Sequence, residues 1–413
     1  MAGEISLTCQ VGRPRMSATG GSQVAYVLVE ARAAGGAAAG AAAGLTRVPV
    51  NFTLVLDHSG SMKGAKLAAV KESVKLVINR LGMSDMVSVV IFDDNVRVVV
   101  PAQPTADKPY LTSLIDGIKD GGGTAMSLGM SAGLNELRKH ATPASVNRMI
   151  LLTDGVTYGD ADRCRRIADE AGAVGIGIYP LGIGADWDED LLDNIGHRSG
   201  GMPAEFIRRP DDALGIFERQ LESAEAVSVR NAQLTIRLPG GVTPKRSVRV
   251  LPLISPLGQE TLSDREALAA LGDIEYDTPQ ALLLELLVDP RPAGTFRIAQ
   301  AELSYDVPGR GTEKVRADAV VTFTTETVPP EEANSVVLNY AEKANAHRLV
   351  TRVLDEYKKG GKVTTRLHPN VTRMLDPETQ RLLDQVSAGG AISAEEVKTI
   401  GNRTRKLTQK LEG

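Results

Sequence analysis

A mostly parallel, doubly wound α/β sheet, joined to a β-sandwich and followed by a helical region, is the fold class this sequence predicts, and three observations predict it. From Val48 to about Ala224, short apolar runs alternate with amphipathic helical segments, the pattern of a parallel sheet with helices on both faces. From Ser228 to Thr325 the helical periodicity gives way to alternating runs such as AQLTIRL and AVVTFTT, separated by turns that carry Pro and Gly; this is a β-sandwich pattern. Beyond Pro329-Pro330, segments 331–359, 377–387 and 394–411 read as helices. The expected division is therefore 1–47, 48–224, 225–329 and 330–413.

In the sheet region the expected strands are 51–56, 86–92, 96–100, 148–152 and 175–182. Between the first two, Leu67, Val70, Val74, Val77, Ile78 and Leu81 fall at helical spacing and form one apolar stripe. The turn Asp93-Asp94-Asn95 is short enough to be a hairpin, which makes 96–100 an antiparallel edge strand. Two N-terminal strands, 4–10 and 24–32, are too few to fold alone. They are expected to pair with strands from 228–325, so that the α/β unit is inserted into the sandwich. Residues 33–45, almost pure Ala and Gly, read as a flexible loop. In the helical tail, Asp376 before Pro377 and the Ser393…Glu396 box mark helix starts, and Gly389-Gly390 marks a stop. The basic run Arg403, Arg405, Lys406 and Lys410 reads as a solvated helix face, flanked by Glu395, Glu396 and Glu412. The sequence holds no internal repeat.

Composition narrows the function. The 413 residues are 42% hydrophobic and 24% charged, with net charge −4, which gives no basic surface for nucleic acid. The only cysteines, Cys9 and Cys164, lie far apart, so no disulfide framework is expected. The first residues lack the apolar core of a signal peptide, and no stretch reaches the roughly 18 apolar residues of a membrane span. The expected location is the cytoplasm.

The first parallel strand runs directly into Asp57-His58-Ser59-Gly60-Ser61-Met62. In an open α/β sheet ligands gather beyond the carboxyl ends of the strands. Two other segments end the same way: Gly121-Gly122-Gly123-Thr124 opens a helix, and the strand RMILL leads to Thr153-Asp154-Gly155. An Asp-x-Ser-x-Ser triplet alone is most often a helix cap. The segment from Gly60 to Lys66 lacks the spacing of a phosphate loop, a haloacid-dehalogenase-like site would need a second Asp where Ser59 stands, and Gly175-Ile176-Gly177 is expected inside a strand. Of the five histidines, His140, His197, His347 and His368 read as surface or locally satisfied residues, while His58 points from the triplet.

Asp57-x-Ser59-x-Ser61, Thr124 and Asp154 together resemble the metal-ion-dependent adhesion site of von Willebrand factor A domains, and the resemblance covers about 48–224. It implies a six-stranded Rossmann-like sheet in which Ser59, Ser61 and Thr124 meet a divalent cation directly or nearly so, while Asp57 and Asp154 act partly through water. Integrin β-subunits and vesicle coat proteins are similar in nesting this domain in a sandwich. Hard oxygen ligands suit Mg²⁺, or Mn²⁺ or Ca²⁺. Three neutral hydroxyls leave the ion open to an anionic sixth ligand, expected from an Asp or Glu of a protein partner. His58, Met62, Met126 and Tyr158, with Val156, are the candidate rim contacts. No nucleophile–base pair is visible, so a binding module rather than an enzyme is expected. The alternative is a Mg²⁺-dependent hydrolase or phosphotransferase, for which Lys63 and Lys66 are the nearby cations.

Overall fold

The N-terminal strands β1 (Ile5–Val11), β2 (Arg15–Ser17) and β3 (Gln23–Ala33) form no unit of their own. Their backbone groups need partners: β2 and β3 find them in strands more than two hundred residues away, whereas among the described residues β1 pairs with the neighbouring β3 alone and not, as expected for 4–10, with a strand of 228–325. The computed structural model describes residues 4–33, 48–256, 259–263, 265–327, 332–360 and 363–411. Apart from Ala33, the Ala- and Gly-rich loop read at 33–45 lies outside these, as do Glu331 and Glu412.

The central sheet is built from β4 (Val50–Asp57), β5 (Met86–Phe92), β6 (Val96–Pro104), β7 (Val146–Thr153), β8 (Gly177–Ile183) and β9 (Glu205–Ile207), in the order β6-β5-β4-β7-β8-β9. All neighbours are parallel except β5 and β6, which are antiparallel across the Asp93–Asn95 turn. Its helices are α1 (Ala65–Arg80), α2 (Lys108–Asp116), α3 (Met126–Arg138), α4 (Ala161–Gly172), α5 (Glu189–Arg198) and α6 (Ala213–Glu225). Every residue of β4 and β7 is buried, which is why their middles read as apolar runs, LVL and MILL, rather than alternations. One face packs on the α1 stripe and on Phe217 and Leu221 of α6. On the other, Val55, Val90 and Phe92 meet Met130 and Leu134 of α3 and Ile167 of α4. The eighth strand begins two residues later than expected because Gly175 sits at φ 68° in the preceding turn.

Helix α3 lies unusually close to the sheet. A Cβ at Gly133 would stand 2.4 Å from Val55 Cγ2, and one at Gly129 would stand 2.5 Å from the Phe92 ring.

The sandwich strands are β10 (Val227–Arg237), β11 (Val242–Leu251), β12 (Ser255–Pro256), β13 (Gln259–Ser263), β14 (Glu266–Glu275), β15 (Gln280–Val288), β16 (Gly294–Val307) and β17 (Gly311–Thr324). One sheet runs β1-β3-β15-β11-β12 and the other β13-β14-β10-β16-β17-β2. Strand β3 pairs with β15 from Gln280↔Ala31 to Val288↔Gln23, and β2 pairs with β17. The chain leaves the α/β unit through α6, which passes into β10 across the single residue Ala226. Between the sheets, Val27, Val29, Leu284 and Leu286 face Leu234, Leu303 and Phe323.

The tail contributes α7 (Ser335–Lys358), α8 (Pro369–Thr372), α9 (Pro377–Ser387) and α10 (Ala394–Arg405). Val337 and Tyr340 of α7 cover Leu28, Val250 and Leu283. That second cover explains why LLLELLV in β15 is nearly continuous. The caps at Asp376 and Ser393 form as expected. The basic run departs from the expected solvated face at Arg405, which is enclosed, with its guanidinium 2.5 Å from Asp193 and 3.1 Å from Glu189 of α5. Arg403 reaches Asp376 and Glu378. A buried guanidinium needs such partners, and they come from an element two hundred residues away. No helix among the described residues is long and apolar enough to cross a membrane.

His347 of α7 is enclosed against α10, with Nδ1 2.9 Å from Thr404 Oγ1. Burial first, then the Arg405 and Arg246 charges, push its imidazole from 6.5 down to about 3. The unfolded chain therefore takes up a proton that the folded chain refuses. The contribution is complete above the unfolded value and is lost progressively as pH falls toward the folded one. Urea midpoints measured from pH 7 to 4 should fall with pH, less steeply for His347→Gln; identical slopes would remove His347 as a cause. Gly133→Ala should destabilise the protein by about 1–3 kcal/mol from overpacking, despite the roughly 1 kcal/mol that Ala gains over Gly in a helix. Urea denaturation tests this, and a stability gain would contradict it.

Candidate metal centre

Three chain segments meet at the carboxyl end of the sheet. The first follows β4: Asp57 has no exposed surface, its Oδ1 accepts the Ser59 backbone N–H at 2.8 Å, and its Oδ2 accepts the Thr153 hydroxyl at 2.6 Å. A buried carboxylate must be hydrogen-bonded, and these donors come from the next residues of its own loop and from the end of β7. Burial, with the Asp154 charge assisting, raises the Asp57 carboxyl above its ordinary value, while its Ser59 and Thr153 hydrogen bonds oppose the rise.

The second segment is Thr153-Asp154-Gly155. Asp154, 1% exposed, accepts the Ser61 hydroxyl on Oδ1 at 2.6 Å and the Lys66 ammonium on Oδ2 at 2.5 Å. Ser61 Oγ in turn lies 3.1 Å from Ser59 Oγ. Ser61 is exposed whereas Ser59 is buried, so the cluster opens to solvent on the Ser61 side.

The third is the glycine-rich approach to Thr124. Gly60 N–H donates to Gly122 O at 3.0 Å, and Gly121 N–H to His58 O at 2.7 Å, which lace this loop to the first. Thr124 is buried, and its hydroxyl would stand 3.8 Å from a Cβ placed on Gly155. The structure thus gathers Asp57, Ser59, Ser61, Thr124 and Asp154 at one place.

The β5–β6 turn holds the glycines in a way sequence reasoning missed. Asp93 Oδ2 accepts Gly122 N–H at 3.0 Å and Asp94 Oδ2 accepts Gly123 N–H at 2.8 Å. A Cβ on Gly121 would fall 2.2 Å from Asp93 Oδ2, and one on Gly122 2.3 Å from Asp94 Oδ2. The signal was the coincidence of an acidic turn with three consecutive glycines. Thr153 was also missed as the donor that orients Asp57.

Of the rim candidates, Met62 and Met126 are corrected. They are 0% and 1% exposed, because each is the first apolar side chain of a helical start and turns onto the sheet, Met62 among Leu56 and Leu67, Met126 among Val55 and Phe92. His58 is half-buried, with Nδ1 2.8 Å from Lys119 O. Tyr158 is 79% exposed and Val156 52% exposed, and the Tyr158 N–H donates to Thr124 O at 3.4 Å.

Among the described residues no group of three or more His, Cys, Asp or Glu could hold a metal. The donor set here is two carboxylates with three hydroxyls, which fits a hard cation that keeps part of its water and fits poorly a soft one.

A family model for the von Willebrand factor type A domain matches residues 51–217. An uncharacterised protein of Synechocystis is 31% identical over 279 residues, 66% of this chain and 65% of that one. The inter-alpha-trypsin inhibitor heavy chain H2 of Mus musculus is 28% identical over 200 residues, 46% of this chain, and this chain spans only 21% of its length. A von Willebrand factor type A protein from Catenulispora acidiphila superposes with a TM-score of 0.79 at 18% identity, covering 98% of this chain and 96% of that one, a likeness of fold.

Thr153→Val should destabilise the protein by about 1–3 kcal/mol, the cost of leaving a buried acceptor without its donor. Thr153→Ser should retain wild-type stability in the same urea titration. A Val variant as stable as wild type would mean that Asp57 does not depend on this bond.

Proposed function

From the premise that residues 51–217 are a von Willebrand factor type A domain, we propose that this chain is a cation-dependent protein-binding module. Asp57, Ser59, Ser61, Thr124 and Asp154 hold one divalent ion, Mg²⁺ by preference and Mn²⁺ or Ca²⁺ as substitutes. An Asp or Glu of a partner protein completes its coordination. The observation that carries this reading is the convergence of two buried carboxylates and three hydroxyls where the site opens to solvent at Ser61. When bound, the ion supplies a Lewis-acidic position that prefers a carboxylate to water.

The chain's own residues do the rest. Thr153 orients Asp57, the Asp93 and Asp94 carboxylates hold the glycine loop that presents Thr124, and exposed Tyr158 and Val156 offer apolar contact beside the ion. Aromatic side chains are enriched at interface centres. Of the two nearby cations Lys66 pairs with Asp154 and Lys63 is exposed, and among the described residues no nucleophile–base pair is visible beside them, which favours binding over phosphoryl chemistry.

Mg²⁺ or Mn²⁺ should raise thermal stability, by about 2.7 kcal/mol when the ion is at a hundred times its Kd. Asp57→Ala and Asp154→Ala should abolish the rise, and Ser59→Ala should reduce it. Partner capture should be lost in EDTA and in Thr124→Ala, and weakened in Tyr158→Ala. Equal metal-dependent shifts in wild type and Asp154→Ala would refute the ion assignment; capture indifferent to EDTA would place the partner elsewhere.

A further inference from the structure

Lys66 occupies an odd place for a lysine. It is the second residue of α1, a helix with no acidic residue in its first turn. A cation there opposes the helix macrodipole, which favours negative charge at the amino end. The side chain nonetheless turns inward, and its ammonium rests 2.5 Å from Oδ2 of Asp154, whose side chain has no exposed surface. The Gly184 turn, at φ 77°, lies against it, and a Cβ on that glycine would stand 3.4 Å from Nζ. The ion pair is therefore enclosed on one side by the β8 turn and on the other by Asp154.

We propose that Lys66 tunes the cation site: it competes with the divalent ion for Asp154 and leaves the loaded site with a surplus positive charge that only an anion neutralises. The inference rests on the metal-binding reading above. Among the groups bonded within the oxygen cluster, Asp57 and Asp154 contribute −2 and Lys66 contributes +1, a sum of −1 before the ion binds, while Asp93 and Asp94 are turned to the backbone of the glycine loop. A divalent ion brings the sum to +1, and one carboxylate returns it to zero. Without the lysine, the two carboxylates would neutralise the ion alone and a partner's acid would gain little from joining. Lys66 thus weakens binding of the ion by itself and strengthens the mutual dependence of ion and carboxylate, a coupling that must be reciprocal. Ser61, the other donor to Asp154, is neutral and cannot do this.

The test uses the full chain, Mn²⁺ as the ion and acetate as the carboxylate probe, with Kd measured by calorimetry in the wild type, Lys66→Met and Lys66→Arg. Lys66→Met should bind Mn²⁺ about tenfold more tightly or better, the scale expected when a unit charge a few ångströms from the ion is removed. Acetate should tighten Mn²⁺ binding in the wild type and Lys66→Arg but not in Lys66→Met. A purely structural lysine would not move these two readouts in opposite directions. Lys66→Gln serves as the second variant if the Met protein fails to fold. Wild-type binding with an unchanged or weaker Kd in both neutral variants overturns the role of Lys66 alone. Absence of Mn²⁺ binding in every protein overturns the metal reading and this inference with it.

Discussion

Strands β4 and β7 are buried at every residue, so the polar side chains within them are enclosed, Arg148 with two nitrogens lacking a hydrogen bond, and polar groups open to a ligand gather at the carboxyl ends. There the same constraint acts on Asp57. A carboxylate without exposed surface has to find donors, and it finds them in the loop that follows it and in Thr153 at the end of the neighbouring strand. The bond from Thr153 couples two strand ends, fixes where Asp154 stands, and through Ser61 sets the opening of the cluster. The glycine loop then has to approach closely, which the acidic β5–β6 turn both permits and enforces.

Much of this was legible because it is local. Continuous apolar runs announce strands buried on both faces, a three-residue acidic turn announces the antiparallel edge, and the caps at Asp376 and Ser393 follow from their own sequence neighbourhood. Three strand or loop ends could be singled out because each carries oxygen-bearing side chains, and the resemblance to the metal-ion-dependent adhesion site picked out the five residues among them. What was not legible depends on contacts between distant segments. Met62 and Met126 stand at loop–helix boundaries, where sequence alone does not say whether a side chain faces the sheet or the solvent. Arg405 looked like part of a solvated basic face because its carboxylates, Asp193 and Glu189, lie on α5. Strand β9, at three residues, is too short to show any period.

Three buried arginines reach across the junction between the α/β unit and the sandwich: Arg230 to carbonyls of 142–145, Arg148 to Asp273 at 4.0 Å and Arg249 to the Met202 sulfur at 3.4 Å. Arg148 is wholly buried at the start of β7, donates to Gln220 O and Ser223 Oγ, and lies 3.9 Å above the Tyr179 ring. Arg230 of β10 donates to the carbonyls of Thr142, Pro143 and Ser145. Arg249 of β11 reaches Gln280 and the Ala270 carbonyl. Several of their nitrogens have no partner, so the desolvation cost is only partly offset.

Because α6 passes into β10 across one residue, the exit of the α/β unit is mechanically stiff. Strand β10 lies inside its sheet, paired with β14 on one side and β16 on the other. A tug on the loops at the carboxyl end of the central sheet is passed down α6 into a strand that two hydrogen-bonded ladders hold in place. Drawing that strand out requires both ladders to yield together, whereas an edge strand would peel from one. Tension passed down α6 is therefore met by two ladders at once rather than by one.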